Sequence, residues 1–99
     1  MNSIVQDIVN QLKPYNPEKI ILFGSYAYGA PNENSDVDLV IIKNTSEPFL
    51  ERQKQARSLI RTTTSVDIFV FTPSEFEKAK SNNLLIKEVD KLGNIIYGQ

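Results

Sequence analysis

Short apolar runs alternate with amphipathic stretches along the chain. Ile4, Val5, Ile8, Val9 and Leu12 recur at helical spacing behind Ser3 and Gln6, which read as a capping box, and Pro14 stops the helix they predict. "KIILFG" is a continuous apolar run that predicts a buried strand ending at Gly24. "SYAYGA" allows one or two helical turns, "PNENS" is a polar loop and the one segment where mobility is expected, and "DVDLVIIK" predicts a second strand. A helix follows over "SEPFLERQKQARSLIR", its apolar side made by Phe49, Leu50, Ala56, Leu59 and Ile60 and its outer face by Arg52, Lys54, Arg57 and Arg61. "TTTSVDIFVFT" holds a third strand rich in β-branched and aromatic residues. Thr72, Pro73 and Glu75 then form a strong helix start, "NNLLIKEVDKLG" reads as a last helix closed by Gly93, and "NIIYG" as a short final strand. Phe23, Phe49, Phe69, Phe71 and Phe76 are most simply core. This alternation predicts an α/β (α+β) domain built on a small sheet.

Composition narrows the chemistry. Ninety-nine residues suit one small domain, 1–99, with no repeat, linker or low-complexity tract inside it. The net charge of −1 gives no general pull toward nucleic acid or membrane, so direct nucleic-acid binding and membrane association are not expected. The basic residues of the middle helix share it with Glu47 and Glu51 and read as an ordinary solvated face. Absence of cysteine and histidine removes thiolate and imidazole chemistry. Any metal must then sit on oxygen ligands, which favours Mg²⁺ or Mn²⁺. With neither a signal peptide nor a membrane-length apolar run, the cytoplasm is the default expectation.

Against this background Asp36 and Asp38 stand out, two acids opening an otherwise apolar strand. Residues two apart in a strand share a face at about 6.6 Å along the chain. Two ionised carboxylates at that spacing repel by about 2.5 kcal/mol at an effective dielectric near 20. Solvent can screen them, one can keep its proton, or a cation can sit between them. Gly24 and Ser25 end the first strand at a turn whose N–H groups can take phosphate oxygens, although Gly-Ser after a strand is often only a turn. Asp67 is the single charge in "VDIFVF"; alone it reads as a solvated acid, but if the second and third strands are neighbours it comes alongside Asp36 and Asp38.

Gly24-Ser25, then Asp36-x-Asp38, with Asp67 on a later strand, resembles the signature of the nucleotidyltransferase superfamily that includes DNA polymerase beta. Over nearly its whole length the chain is similar to the minimal nucleotidyltransferases, the MNT antitoxins of HEPN–MNT toxin–antitoxin pairs. The resemblance implies a nucleotidyltransferase fold with a small mixed sheet covered by helices. It implies that Asp36, Asp38 and Asp67 are catalytic and hold two Mg²⁺ ions, with Gly24 and Ser25 binding the β- and γ-phosphates of ATP. It also implies Asp67 as the group that orients or deprotonates the acceptor. Many relatives carry a basic residue within the segment that reads "SYAYG" here; Tyr26 and Tyr28 stand in its place, where they can stack on a base or pack the turn, and Lys43 or an arginine of a partner is the candidate substitute.

The resemblance further implies a HEPN-type helical partner, because the chain has no room for an acceptor-binding domain of its own. The expected activity is transfer of AMP from ATP to a tyrosine of that partner. A non-catalytic antitoxin that neutralises the partner by stoichiometric contact is the alternative. A transferase acting on a small hydroxylated compound is a third reading. Oligomeric state stays open.

Overall fold

Helix α1 (Ser3–Leu12) forms where the sequence alternates at helical spacing, and its stripe of Val5, Ile8, Val9 and Leu12 is buried. Its cap is one residue earlier than the Ser3/Gln6 box suggests: the Asn2 side chain accepts from Ile4 N–H at 2.8 Å, while Gln6 turns outward to Asn10. A 3₁₀ turn (Lys13–Tyr15) carries Pro14, and left-handed Asn16 redirects the chain into β1 (Lys19–Phe23). Then come a single helical turn, α2 (Ser25–Tyr28), strand β2 (Val37–Ile42), helix α3 (Phe49–Arg57), strand β3 (Val66–Phe71), helices α4 (Pro73–Asn82) and α5 (Leu84–Leu92), and strand β4 (Asn94–Gly98). The computed structural model describes residues 2–29, 31–32 and 34–98. The polar loop before β2 lies partly outside them; Asn32 and Ser35 close its described part by a backbone bond and an Asn32 N–H to Ser35 Oγ bond of 2.9 Å.

The strands form one mixed sheet in the order β3-β2-β1-β4. β1 runs antiparallel to β2 and β4, and β2 runs parallel to β3. The parallel pair needs a crossover, which α3 supplies. Because successive strand residues face opposite ways, the apolar strands feed two cores. Ile20, Leu22, Leu39, Ile41, Ile68 and Val70 meet α1 on one face. Ile21, Phe23, Val40 and Ile42 meet Phe76 of α4 and Ile86 and Val89 of α5 on the other. The capping box predicted at Thr72 and Glu75 is present and fixes the start of α4. Among the described residues no helix is long and apolar enough to cross a membrane.

Helix α3 departs from its amphipathic reading. It is shorter than expected, and the apolar Phe49 and Leu50 stand exposed, so Phe49 is not core. Arg52, expected on the solvated face, is only 7 % exposed. It forks onto Glu75 at 2.6 and 3.1 Å and donates to the Glu47 carbonyl at 2.7 Å. Its guanidinium holds the Glu75 carboxyl below the usual range. Ala56 is buried in the α1-face core with Leu59 and Ile60 packed on it, as expected, while polar side chains of α3 lie along the outer edge of the sheet. Gln53 Nε2 donates to Ile68 O at 2.6 Å, Gln53 Oε1 accepts from Val70 N–H at 3.0 Å, and Arg57 donates to Val66 O at 2.8 Å. Polar side chains thus take the place of a further strand along β3. Gln53→Leu keeps the bulk and removes both edge bonds. It is expected to cost about 1–3 kcal/mol of stability with an unchanged m-value in urea unfolding followed by circular dichroism.

Candidate active site

The register of the sheet brings the singled-out residues to one end of three adjacent strands. Phe23, the last residue of β1, pairs with Asp38, and Asp38 pairs with Asp67 across the parallel β2–β3 ladder. The condition set by the sequence, that the second and third strands be neighbours, is met. Asp67 alternates with buried Val66 and Ile68, so its side chain leaves the α1 face and shares the other face with Asp38. Asp36 lies just before β2 rather than in it, and is exposed.

Gly24 follows Phe23 with φ 75° and ψ −159°, a region that essentially only glycine occupies. A side chain here meets a second obstacle: a Cβ on Gly24 would lie 2.2 Å from Oδ2 of Asp38. The carboxylate of Asp38 therefore rests against the bare Cα of the turn. From Gly24 the chain enters α2, whose turn is closed by Ala27 and Tyr28 N–H groups donating to Gly24 O at 2.9 and 3.0 Å. The first N–H groups of such a turn have no partner within it, and Ser25 is exposed beside them.

Asp38 is half-buried, and the Phe23–Phe69 pair, with ring centroids 6.4 Å apart, forms apolar ground on its face of the sheet. Burial raises its pKa from 3.8 to about 6, aided by the charges of Asp67 and Asp36 and by a hydrogen bond with the Asp67 carboxyl. Asp38 thus keeps its proton to a higher pH than an ordinary carboxyl, up to about 6. Among the described residues no three acidic side chains close into a ready-made metal cage. The residues present nevertheless fit a hard divalent cation: the donors are all carboxylate oxygens, Asp38 carries excess negative field, and the glycine leaves Oδ2 unscreened. Asp38 and Asp67 are the closest pair for that role, with Asp36 near enough for its charge to be felt.

Other residues were less legible. Tyr28 folds back so that its hydroxyl meets the Gly24 backbone, and burial together with the charges of Glu88 and Asp38 raises its pKa. Tyr26 packs partly against the α1 core and lines a hollow of about 510 Å³ that ends on Asp36. A second hollow of about 310 Å³ ends on Asp67 and contains Arg57. The two share Thr64 and Ser65, part of a hydroxyl run that reads in the sequence only as the approach to a strand. Lys43 does not serve this site. It lies five residues beyond Asp38, about 16 Å along β2, where its ammonium donates to the Tyr15 carbonyl and covers the Tyr15 ring at 4.4 Å.

The fold recurs in known proteins. The family model described as "Nucleotidyltransferase domain" matches residues 3–97. "Putative protein adenylyltransferase MJ0141" of Methanocaldococcus jannaschii is 34% identical over 76 residues, which cover 77% of this chain and 75% of that protein. "Putative protein adenylyltransferase MJ1305" of the same organism is 38% identical over 64 residues, 61% of this chain and 44% of that protein. Among solved structures, a toxin–antitoxin crystal structure with AMP-PNP aligns at a TM-score of 0.64 and 26% identity, covering 95% of this chain and 73% of that one. A nucleotidyltransferase-type protein of Sulfolobus solfataricus shares the fold at a TM-score of 0.57 and 18% identity, covering 100% of this chain and 90% of that one. With a family match over almost its whole length, the chain belongs to the nucleotidyltransferase domain family.

Proposed function

We propose that the chain acts as a single nucleotidyltransferase domain over 1–99 that transfers AMP from ATP to a hydroxyl acceptor. In this reading the acceptor is a tyrosine of a HEPN-type helical toxin, and the chain is its antitoxin. The observation that carries the reading is Asp38 held beside Asp67 and against Gly24 at one end of the sheet. The relatives named as protein adenylyltransferases and the toxin–antitoxin neighbour with AMP-PNP support it.

Asp36, Asp38 and Asp67 would hold two Mg²⁺ ions, which when bound polarise the α-phosphoryl group and neutralise the departing pyrophosphate. The chain's own residues do the rest. Gly24 and Ser25 offer N–H groups and a hydroxyl to the β- and γ-phosphates, and Gly24 lets those oxygens approach the backbone. Tyr28, whose hydroxyl already meets the Gly24 backbone, would share that contact. The acceptor oxygen bonds to the α-phosphorus, the bond from that phosphorus to the pyrophosphate oxygen breaks, and the acceptor proton passes to exposed Asp67.

One observation favours stoichiometric neutralisation without transfer: Lys43 is remote, so it supplies no cation to the phosphate turn. The two readings separate in one experiment. Incubating the chain, its helical partner and α-labelled ATP with Mg²⁺ is expected to label the partner, and Asp36→Ala with Asp38→Ala to reduce labelling by at least about 100-fold. Undiminished protection by the double variant, with no labelling by the wild type, would establish the non-catalytic reading instead.

The raised pKa of Asp38 sets a pH dependence. Between about pH 4 and 6 the folded chain binds more protons at this group than the unfolded chain, so its contribution to stability falls as pH rises through that window. Asp38→Asn is expected to stabilise the metal-free chain at pH 7, by about 1 kcal/mol once solvent screening is allowed for. Thermal melts at pH 4 and 7 check this: the gain should be present at pH 7 and absent at pH 4. Mg²⁺ binding at pH 6 should release about half a proton, read by calorimetry in buffers of different ionisation enthalpy. Gly24→Ala should cost about 1–3 kcal/mol in backbone strain. Because its methyl group displaces the Asp38 carboxylate, it should also abolish that proton release.

A further inference from the structure

At the start of β3 a cation and an acid share a hollow without pairing. The hollow of about 310 Å³ is lined by Asp67 and Arg57, the two charged residues of its wall, and by the hydroxyl residues Thr62, Thr64 and Ser65. Opposite charges in so small a space ordinarily meet, yet no ion pair joins them among the described residues. The Arg57 guanidinium is held instead on the backbone, donating to Val66 O at 2.8 Å, the carbonyl immediately before Asp67. That bond helps to close the edge of β3, but it does not need a charge. Neutral Gln53, on the same helix, closes the same edge at two backbone groups. Arg52 shows a guanidinium fully committed to structure: it bonds both carboxylate oxygens of Glu75 and the carbonyls of Glu47 and Val70. Arg57 is exposed and, among the described residues, uses one side-chain bond of the five that its N–H groups can donate. The frame around it is fixed. Gln11 of α1 bonds both backbone groups of Arg61 at 2.8 and 3.0 Å, Leu59 and Ile60 pack on the α1-face core, and Thr62 Oγ1 accepts from Thr64 N–H at 3.2 Å.

We propose that Arg57 determines acceptor specificity, and that the hollow takes a carboxylate lying within about two residues of the hydroxyl to be modified. The inference deepens the transfer reading and rests on it, since there the acceptor hydroxyl comes to Asp67. The hollow borders Asp67 on the β3 side and includes no residue of β2. An acceptor seated there meets a positive group a short way from its hydroxyl. The guanidinium is bonded to the carbonyl next to Asp67, and two residues of extended chain span about 7 Å. A guanidinium grips a carboxylate by two parallel N–H···O bonds, and threonine and serine hydroxyls can donate to the same oxygens. Charge selects the class of occupant. One guanidinium matches one carboxylate, whereas a nucleic-acid strand calls for several cations along its backbone, and the hollow holds one. The occupant is therefore an acidic segment of a protein acceptor. Holding Arg57 off Asp67 serves both ends of the hollow: a pair would take the carboxylate from the hydroxyl and the guanidinium from the acceptor.

Capped pentapeptides with a central tyrosine, flanked on both sides by glutamate, glutamine, lysine or phosphoserine, test this on the full chain with Mg²⁺. Magnetic resonance titrations that follow the Arg57 Nε–H signal require no transfer. The glutamate peptide is expected to move that signal and to bind at least about tenfold more tightly than the glutamine peptide. Arg57→Gln, which still carries an amide donor, should erase the preference, and Arg57→Lys should keep part of it. Arg57→Glu should turn the preference toward the lysine peptide, a reversal that a folding defect does not produce. Circular dichroism melts verify that each variant is folded. α-Labelled ATP then reads transfer to the same peptides, where the wild type should favour glutamate over glutamine. A glutamate preference in binding with no peptide labelled upholds the subsite and counts against the transfer reading alone. Equal binding of the glutamate and glutamine peptides overturns the proposal, labelled or not. Tighter binding of the phosphoserine peptide than of the glutamate peptide overturns the assignment to a carboxylate.

Discussion

The contact on which the acidic end of the sheet depends is the carboxylate of Asp38 lying against the bare Cα of Gly24. Each partner constrains the other. The glycine must be side-chain-free because Oδ2 fills the volume a Cβ would need, and its backbone takes a conformation that L-residues avoid. In turn the strand register is fixed, because a one-residue slip of β2 would turn Asp38 to the α1 core and replace it with Val37 or Leu39. The same register sets Asp38 beside Asp67. One close approach therefore ties the Gly24 turn, the acidic strand and its parallel neighbour into a single unit.

That unit is electrostatically unfinished by itself. Burial and two neighbouring acids hold Asp38 near pKa 6, so close to neutral pH the ligand-free site stands poised between a proton and a cation. A structural acid would be paired, as Glu75 is by Arg52, whose guanidinium pulls the carboxyl the other way. The chain thus treats its acids in two opposite manners. Glu75 is neutralised permanently and fastens α3 to α4, whereas Asp36, Asp38 and Asp67 keep no internal counter-ion among the described ion pairs. Negative charge left unpaired on apolar ground is a feature of a binding site rather than of a scaffold.

Much of this was legible in the sequence because local patterns and spacing agree. The apolar runs of β1, β2 and β3, the Thr72 to Glu75 helix start and the small residue after "KIILF" all act within a few positions. Their elements form where expected. The conjunction of Gly24, Asp38 and Asp67 was readable once strand adjacency was assumed, although Asp67 alone reads as a solvated acid. What could not be read depends on where an element lies rather than on what it is. Arg52 and Gln53 look like ordinary surface residues of a helix, and Phe49 and Leu50 look like its buried side. Position against a sheet edge inverts that rule, because an edge offers backbone donors and acceptors instead of apolar surface.

The inverted helix α3 and the plain strand β4 then bear on one another. A four-stranded sheet has two edges, and this chain commits a full helix of polar side chains to closing one. It equips the other, on β4, with no counterpart among the described residues. The closed edge is the one that carries Asp67, where an added strand would crowd the carboxylates. The open edge lies on β4, with β1 between it and the acidic strands, and there an added strand leaves Asp38 and Asp67 accessible. Closure at the acidic edge and an open strand at the distant one are compatible on a sheet this small, because the order β3-β2-β1-β4 keeps them two strands apart.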